Sequence, residues 1–312
     1  MRLPSGHAYL NRLGSTPLVP VTRPGSGGAA IWCKLEFLNP SGSTKDRIAR
    51  YILEKAWREG RIGPGSNVVE ASSGSTSIAM ALACAQMGIG FTAVMPEGVS
   101  NERVLIIRAY GGQILLTPKA DGIRGAIEET ERLARETGAF LPRQFSNPDN
   151  AQAHRTGTAR EILDQLPGGA VDAVVSGVGT GGTLVGLYQG FCEGGCQVKP
   201  IAARPVNLVE GSLGGVECCS FSSRIPGVVD SMSSIFRPEE LPGLETIEVR
   251  DGEALAATRD LIRMGFPVGP SSGLNYRAAE IAAARLPPGA QIVTVFPDRM
   301  ERYFSTELFA LP

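Results

Sequence analysis

Lys45 is the one amine in the run Asn39-Pro40-Ser41-Gly42-Ser43-Thr44-Lys45-Asp46-Arg47, where a turn-rich approach leads into a helix expected to begin near Asp46. Positive backbone charge at a helix start disfavours an ammonium, so a lysine there can act as a neutral amine nucleophile. A solvated surface lysine is the plainer alternative. A second loop, Ser72-Ser73-Gly74-Ser75-Thr76-Ser77, follows an apolar strand and opens an uncharged helix. Its hydroxyls and free N–H groups suit a carboxylate or phosphate, although a cluster of N-capping residues has the same composition. A third loop, Ser176-Gly177-Val178-Gly179-Thr180-Gly181-Gly182-Thr183, also lies between strand and helix, and its glycines let the backbone close on an anion. Gly177 to Gly182 satisfy the G-x-G-x-x-G pattern of dinucleotide sites. That reading expects an acidic residue about twenty positions on, at the end of the next strand. The strand is expected to end at Arg204 instead, and an NADP-type arginine would leave the first two loops unexplained.

These loops need a scaffold, and the pattern around them supplies one. Short apolar runs alternate with amphipathic helical segments, as in a parallel sheet covered on both faces. Strands are expected at 30–35, 67–71, 91–95, 113–116, 173–176, 200–203, 245–249 and 291–296. Helices are expected over 46–59, where Ile48, Ile52 and Ala56 recur at helical spacing, over 123–136, closed by Gly138, and over 252–264, ended by Gly265 and Pro267. The uncharged stretch from Ala71 to Pro96 is broken by Gln86, Gly88 and Gly90, so it divides into a helix over 75–87 and a strand rather than spanning a membrane. A second such stretch, Ala173 to Cys192, divides likewise, with a helix from Thr183. No clean linker appears, Asn147–Asn150 is the best boundary, and 205–242 is left unassigned.

Composition removes several classes of function. The 312 residues carry 30 Lys and Arg against 31 Asp and Glu, giving a net charge of -1 and no basic footprint for nucleic acid. The N-terminus lacks the apolar core of a secretory signal, so the expected location is cytoplasmic. Six cysteines in a chain this long read as reduced: Cys33 and Cys84 as buried apolar residues, and Cys192, Cys196, Cys218 and Cys219 without a zinc-ribbon spacing. His7 and His154 are distant in sequence from these cysteines, so no metal site is expected.

Six motifs in order carry a resemblance: the lysine loop, the hydroxyl loop, Gln144-Phe145-Ser146-Asn147-Pro148, the glycine loop, Gly269-Pro270-Ser271-Ser272-Gly273, and the run from Pro297 to Thr306. The chain resembles the pyridoxal-phosphate-dependent cysteine synthases and their cystathionine β-synthase relatives over nearly its whole length. The opening Leu13-Gly14-Ser15-Thr16-Pro17-Leu18-Val19 is similar too, and Asn147 to His154 leans toward the cysteine synthase B type. The resemblance implies a tryptophan synthase β-like, fold type II α/β architecture of two doubly wound domains with mostly parallel sheets. Residues 1–148 would form an N-terminal domain with a smaller substrate-closing part, its initial strands joining the other sheet, and 149–312 the domain that holds the cofactor phosphate.

By the same resemblance, Lys45 forms the Schiff base with pyridoxal 5'-phosphate. Gly179, Thr180, Gly181, Gly182 and Thr183 hold the phosphate, and Ser271 faces the pyridine nitrogen as a nearly neutral partner, leaving the ring a weaker electron sink. Ser72, Ser73, Thr76 and Gln144 grip the substrate carboxylate. Ser75 stands where the family usually has an asparagine against the ring oxygen, Ser77 where it has glycine, and Arg204 where relatives commonly have glutamate. The reaction implied is β-replacement on O-acetylserine or O-phosphoserine, through an aminoacrylate, with sulfide or another sulfur donor, giving L-cysteine or a related amino acid. The changed hydroxyl loop leaves open an amine nucleophile of the diaminopropionate type, or a non-catalytic homologue that binds the cofactor. A homodimer is the assembly that the resemblance implies, with no nucleic-acid or membrane partner.

Overall fold

The computed structural model describes residues 13–22, 31–206, 225 and 233–310. Cys218, Cys219, His7 and all of the run 225–231 except Ile225 lie outside them. The described chain divides into two compact units. One comprises Asn39–Asn150 with 13–14 and 302–310, and the other comprises Ala151–Glu301 with Ser15–Leu38.

In the first unit, α1 (Lys45–Arg58) precedes a parallel three-stranded sheet in the order β3–β4–β5, with β3 at Asn67–Ala71, β4 at Gly90–Pro96 and β5 at Gln113–Thr117. The connections are α2 (Ser75–Met87) and α3 (Asn101–Ala109), and α4 (Gly122–Thr137) follows β5. Helix α1 buries Ile48, Ile52, Leu53, Ala56 and Trp57, the stripe that its periodicity announces. Helix α2 buries nearly its whole circumference, and its small residues Ala79, Ala81, Ala83 and Cys84 allow close packing in the same core. Lacking charges, it is a buried helix rather than a span, and no helix among the described residues is long and apolar enough to cross a membrane.

In the second unit the strands are β1 (Leu18–Val21), β2 (Ile31–Lys34), β6 (Ala173–Gly177), β7 (Lys199–Val206), β8 (Glu245–Arg250) and β9 (Ile292–Val295). They form one sheet in the order β1–β2–β9–β6–β7–β8, parallel throughout except for the antiparallel pairing of β1 with β2. The central strands β6 and β9 read as continuous apolar runs because both faces are covered. Edge strand β8 alternates buried and exposed residues instead. The covering helices include α7 (Gly182–Glu193), α8 (Asp251–Arg263) and α9 (Pro270–Ala283). Between the two sheets in sequence run α5 (Asp149–Ala153), a π-helical turn at His154–Thr158, and α6 (Ala159–Gln165).

The expected strands and helices are present, with no end moved by more than three residues. Strand β1 goes beyond expectation, since four residues containing Pro20 give little periodicity, and proline is tolerated there because β1 is an edge. Helices α3, α5, α6 and α9 were likewise not foreseen. Strand β7 corrects the expected end at Arg204: it runs on to Val206, and the Arg204 side chain pairs with Glu248 of the neighbouring edge strand. The arginine that an NADP site would need is thus committed to an ion pair at the sheet edge. Cys33 and Cys84 are buried free thiols, as expected.

Candidate active site

The hydroxyl loop follows the C-terminal end of β3 and the glycine loop that of β6, where open parallel sheets present their binding loops. The described site residues are therefore built separately within the two units.

In the first unit the helix starts one residue earlier than the sequence suggests, and Lys45 is itself the first residue of α1. Its approach is held from both sides. The Asp46 carboxylate reaches back to accept the Ser41 N–H at 3.1 Å, the Ser41 hydroxyl at 2.6 Å and the Ser43 N–H at 3.4 Å. Arg302 donates to the carbonyls of Ser41 and Gly42. Burial raises the Asp46 carboxyl to about pH 6, against the lowering effect of those Ser41 and Ser43 hydrogen bonds and the Arg302 charge. Gly42 sits at φ 81°, a conformation that favours glycine. The neighbouring Thr44 hydroxyl is buried without a partner among the described residues.

The hydroxyl loop is more than a cap. The Ser72 oxygen accepts the N–H groups of Gly74 at 2.8 Å and Ser77 at 3.2 Å, so this residue does the stapling that a capping cluster would do. Its hydroxyl proton stays available as a donor. Thr76 donates to Gln144 Oε1 at 2.6 Å, while Gln144 Nε2 donates to the Ala71 carbonyl at 2.6 Å. Two residues expected to share a ligand are in contact although 68 positions apart. Ser73 and Ser75 are half-buried beside them, and the Ser77 hydroxyl is fully buried without a partner among the described residues.

Sequence reasoning missed Glu70. It is the one charged residue of β3, and its Oε2 accepts the Gln144 N–H at 3.2 Å while Oε1 accepts its neighbour's, Ala71, at 3.0 Å. The carboxyl fixes the backbone that presents Gln144. The available signal was an acid inside an otherwise apolar strand directly before the hydroxyl loop. Burial raises this carboxyl to about pH 8, against hydrogen bonds from Gln144, Ala71 and Arg143. A folded-state value above the ordinary 4.5 means that the native protein binds the extra proton between those limits, so stability falls as pH rises from 4.5 through about 8. Glu70→Gln, which cannot titrate, is expected to flatten that fall. Urea midpoints of both proteins at pH 5, 7 and 9 check it; parallel profiles would show that Glu70 does not titrate in this window.

In the second unit, Gly177 ends β6 and donates its N–H to Asn275 Oδ1 at 2.6 Å, while Asn275 Nδ2 donates to the Val295 carbonyl at 2.9 Å. Asn275 lies one turn along α9 from Ser271, so α9 braces the glycine loop and carries the serine. Ser271 is buried at the first turn of α9, and the adjacent Ser272 hydroxyl has no partner among the described residues. Ser233 donates to the Thr180 carbonyl at 2.6 Å, so that acceptor of the loop is engaged. The N–H groups of Gly179 and Gly181 have no acceptor among the described residues, and Gly182 donates only weakly to the Thr180 hydroxyl, at 3.4 Å. Gly181 is at φ 81°, and a Cβ there would lie 2.4 Å from Cβ of Phe236. Thr183 Oγ1 is 3.3 Å from His154 Nε2, and His154 Nδ1 is 3.0 Å from the Thr158 hydroxyl.

N–H groups without an acceptor among the described residues, at the start of a 12-residue helix and beside Gly181, where a Cβ has no room, fit a phosphate group. Within the second unit the Ser272 hydroxyl, beside Ser271 and without a partner among the described residues, suits a polar ligand group in the same way. Among the described residues no group of three or more His, Cys, Asp or Glu could hold a metal ion.

The family model described as pyridoxal-phosphate dependent enzyme matches residues 10–298. A cysteine synthase of Staphylococcus aureus is 37% identical over 304 residues, covering 96% of this chain and 95% of its own. The crystal structure of O-ureido-L-serine synthase superposes with a TM-score of 0.86 at 33% identity, covering 98% of this chain and 96% of the other. That of the O-acetylserine dependent cystathionine beta-synthase from Helicobacter pylori gives 0.85 at 34% identity, covering 99% and 100%.

Proposed function

Because the chain belongs to the pyridoxal-phosphate dependent enzyme family, we propose from its own residues how it carries out that family's chemistry on an activated serine. The protein is an enzyme that uses pyridoxal phosphate for β-replacement on an activated serine, as its cysteine synthase relatives and the O-acetylserine dependent neighbour support. The bound cofactor supplies the electron sink for loss of the β-substituent and entry of a nucleophile. Sulfide or another sulfur donor, with L-cysteine or a related amino acid as product, is the reading best supported.

The observation that carries the residue assignment is the loop before α1. It satisfies its own N–H and carbonyl groups through Asp46 and Arg302 and delivers Lys45 as the first residue of the helix. In this reading Lys45 is the amine that binds the cofactor and, once displaced, the base that holds the substrate's α-proton. Gly179, Thr180, Gly181, Gly182 and Thr183 take the phosphate. Ser271 offers the pyridine nitrogen a neutral hydroxyl. Ser72, Ser73, Thr76 and Gln144 receive the substrate carboxylate, with Ser72 as a donor because its oxygen is already engaged by N–H groups. Closing these loops on the carboxylate excludes water from the reacting centre. A cytoplasmic homodimer belongs to the same reading, and sedimentation of the purified protein tests the assembly.

The absorption spectrum of the purified protein, before and after O-acetylserine and then O-phosphoserine, tests the reaction. A visible band that shifts with one donor and returns when sulfide is added is expected; a band that neither donor moves would overturn the choice of substrate. A second reading, a nitrogen nucleophile of the diaminopropionate type, draws on Ser75 and Ser77 in the hydroxyl loop. Ser75→Asn is expected to retain activity within about tenfold and to shift nucleophile preference toward sulfide. Competition between sulfide and a panel of amines checks this, and an unchanged preference would show Ser75 to be neutral.

A further inference from the structure

Two arginines join the lysine loop to the hydroxyl loop through one short segment. Arg302 is 2% exposed and donates to the carbonyls of Ser41 and Gly42, and its own carbonyl accepts the Ser100 hydroxyl at 3.1 Å. The next residue, Tyr303, places its ring 5.2 Å from the Arg103 guanidinium carbon. Arg103 is 6% exposed and donates to the Ser73 carbonyl at 3.1 Å, while its stem fills the space where a Cβ on Gly74 would meet Arg103 Cδ at 2.2 Å. Two residues further on, Ser305 donates its N–H and hydroxyl to Glu102 at 3.0 and 2.9 Å, fastening the segment to the start of α3. Guanidinium–carbonyl contacts are charge-assisted and directional, and guanidinium–ring stacking in a buried place resists sliding. A shift of Ser73 therefore moves Arg103, the Tyr303 ring and Arg302 against the carbonyls four and three residues before Lys45.

We propose that Arg103, Tyr303 and Arg302 form a mechanical link through which capture of the substrate carboxylate at the hydroxyl loop repositions Lys45, so that the two arginines act as one unit of positioning residues. The inference rests on the reading of Lys45 as the cofactor's amine. Its consequence is selectivity in the exchange of Lys45 for the incoming amine, because only a ligand that bears a carboxylate engages the hydroxyl loop.

The test uses the holoenzyme and two non-reacting probes, L-alanine and L-alaninamide, and follows the rate of the visible-band shift that each causes. The wild type is expected to exchange L-alanine at least about a hundredfold faster than the amide. Arg103→Lys and Arg302→Lys are each expected to lose about tenfold of that preference, and the double variant to lose no more than either alone. Unspecific damage slows both probes equally and leaves the ratio intact, so an intact ratio in the single variants would overturn the link. So would losses that multiply to about a hundredfold in the double variant, which is the behaviour of independent residues. Tyr303→Leu removes the ring but keeps both arginines, and it is expected to reproduce the loss; it serves if Arg302→Lys does not fold. Failure of the underlying reading looks different, because a Lys45→Ala protein would then show the same visible band and probe response as wild type.

Discussion

Lys45→Ala is expected to lower turnover by at least about a thousandfold and to leave bound cofactor without its wild-type visible band. The effect is large because the proposed assignment gives one amine two tasks, holding the cofactor and moving the substrate's α-proton, and no neighbour in its loop can replace it. Ser41, Ser43 and Thr44 are hydroxyls with no basic character at neutral pH, and Asp46 is committed to the N–H groups and hydroxyl of its own approach loop. The fold should survive, since Lys45 is half-buried and alanine is a good helix former at the start of α1. Circular dichroism and turnover measured on the same sample decide the matter. Normal turnover would end the assignment, whereas lost turnover together with lost helicity would place the defect in folding.

Gly181→Ala is expected to cost roughly 2–5 kcal/mol of stability and to weaken cofactor binding at least about tenfold. Two separate penalties meet at this residue. The φ of 81° is strained for any residue with a Cβ, at about 1–2 kcal/mol. The added methyl would also lie 2.4 Å from Phe236 Cβ, 3.1 Å from the ring and 3.2 Å from Phe236 Cα. The last of these is backbone, so the loop rather than a flexible side chain must give way. Movement of the loop displaces the N–H groups of Gly179 and Gly181 that are proposed to hold the phosphate. Thermal unfolding and cofactor titration measure the two effects separately. Weakened binding without lost stability would mean that the loop shifts freely; unchanged binding would remove Gly181 from the phosphate site.

Much of the scaffold was legible because it is written in short-range spacing. The apolar runs of β3 and β6, the helical stripe of α1 and the glycine closing α4 are each decided within a few residues, where steric and periodic rules act. The pieces that escaped were those whose local signal is weak or mixed. Strand β1 is short and holds a proline; α9 starts inside a run of serines and glycine that reads first as a loop, although Pro270 at its start is a helix signal. The end of β7 was placed too early because Arg204 and Pro205 look like a terminus, yet pairing with β8 carries the strand through both.

The chemistry divides along the same line. By itself the sequence determined which residue types stand at the ends of β3 and β6 and at the start of α1: a run of hydroxyls, a glycine-rich turn and a lone amine. Tertiary structure alone decided how those groups are held. Glu70 meets the Gln144 N–H across 74 positions, Asn275 braces Gly177 across 98, and Arg302 returns across 260 to the loop that carries Lys45. None of these contacts has a period or a spacing, since each depends on where the chain returns after whole strands and helices have packed. Once buried, a carboxyl, an amide or a guanidinium must find partners, and the loop backbones at the site supply them.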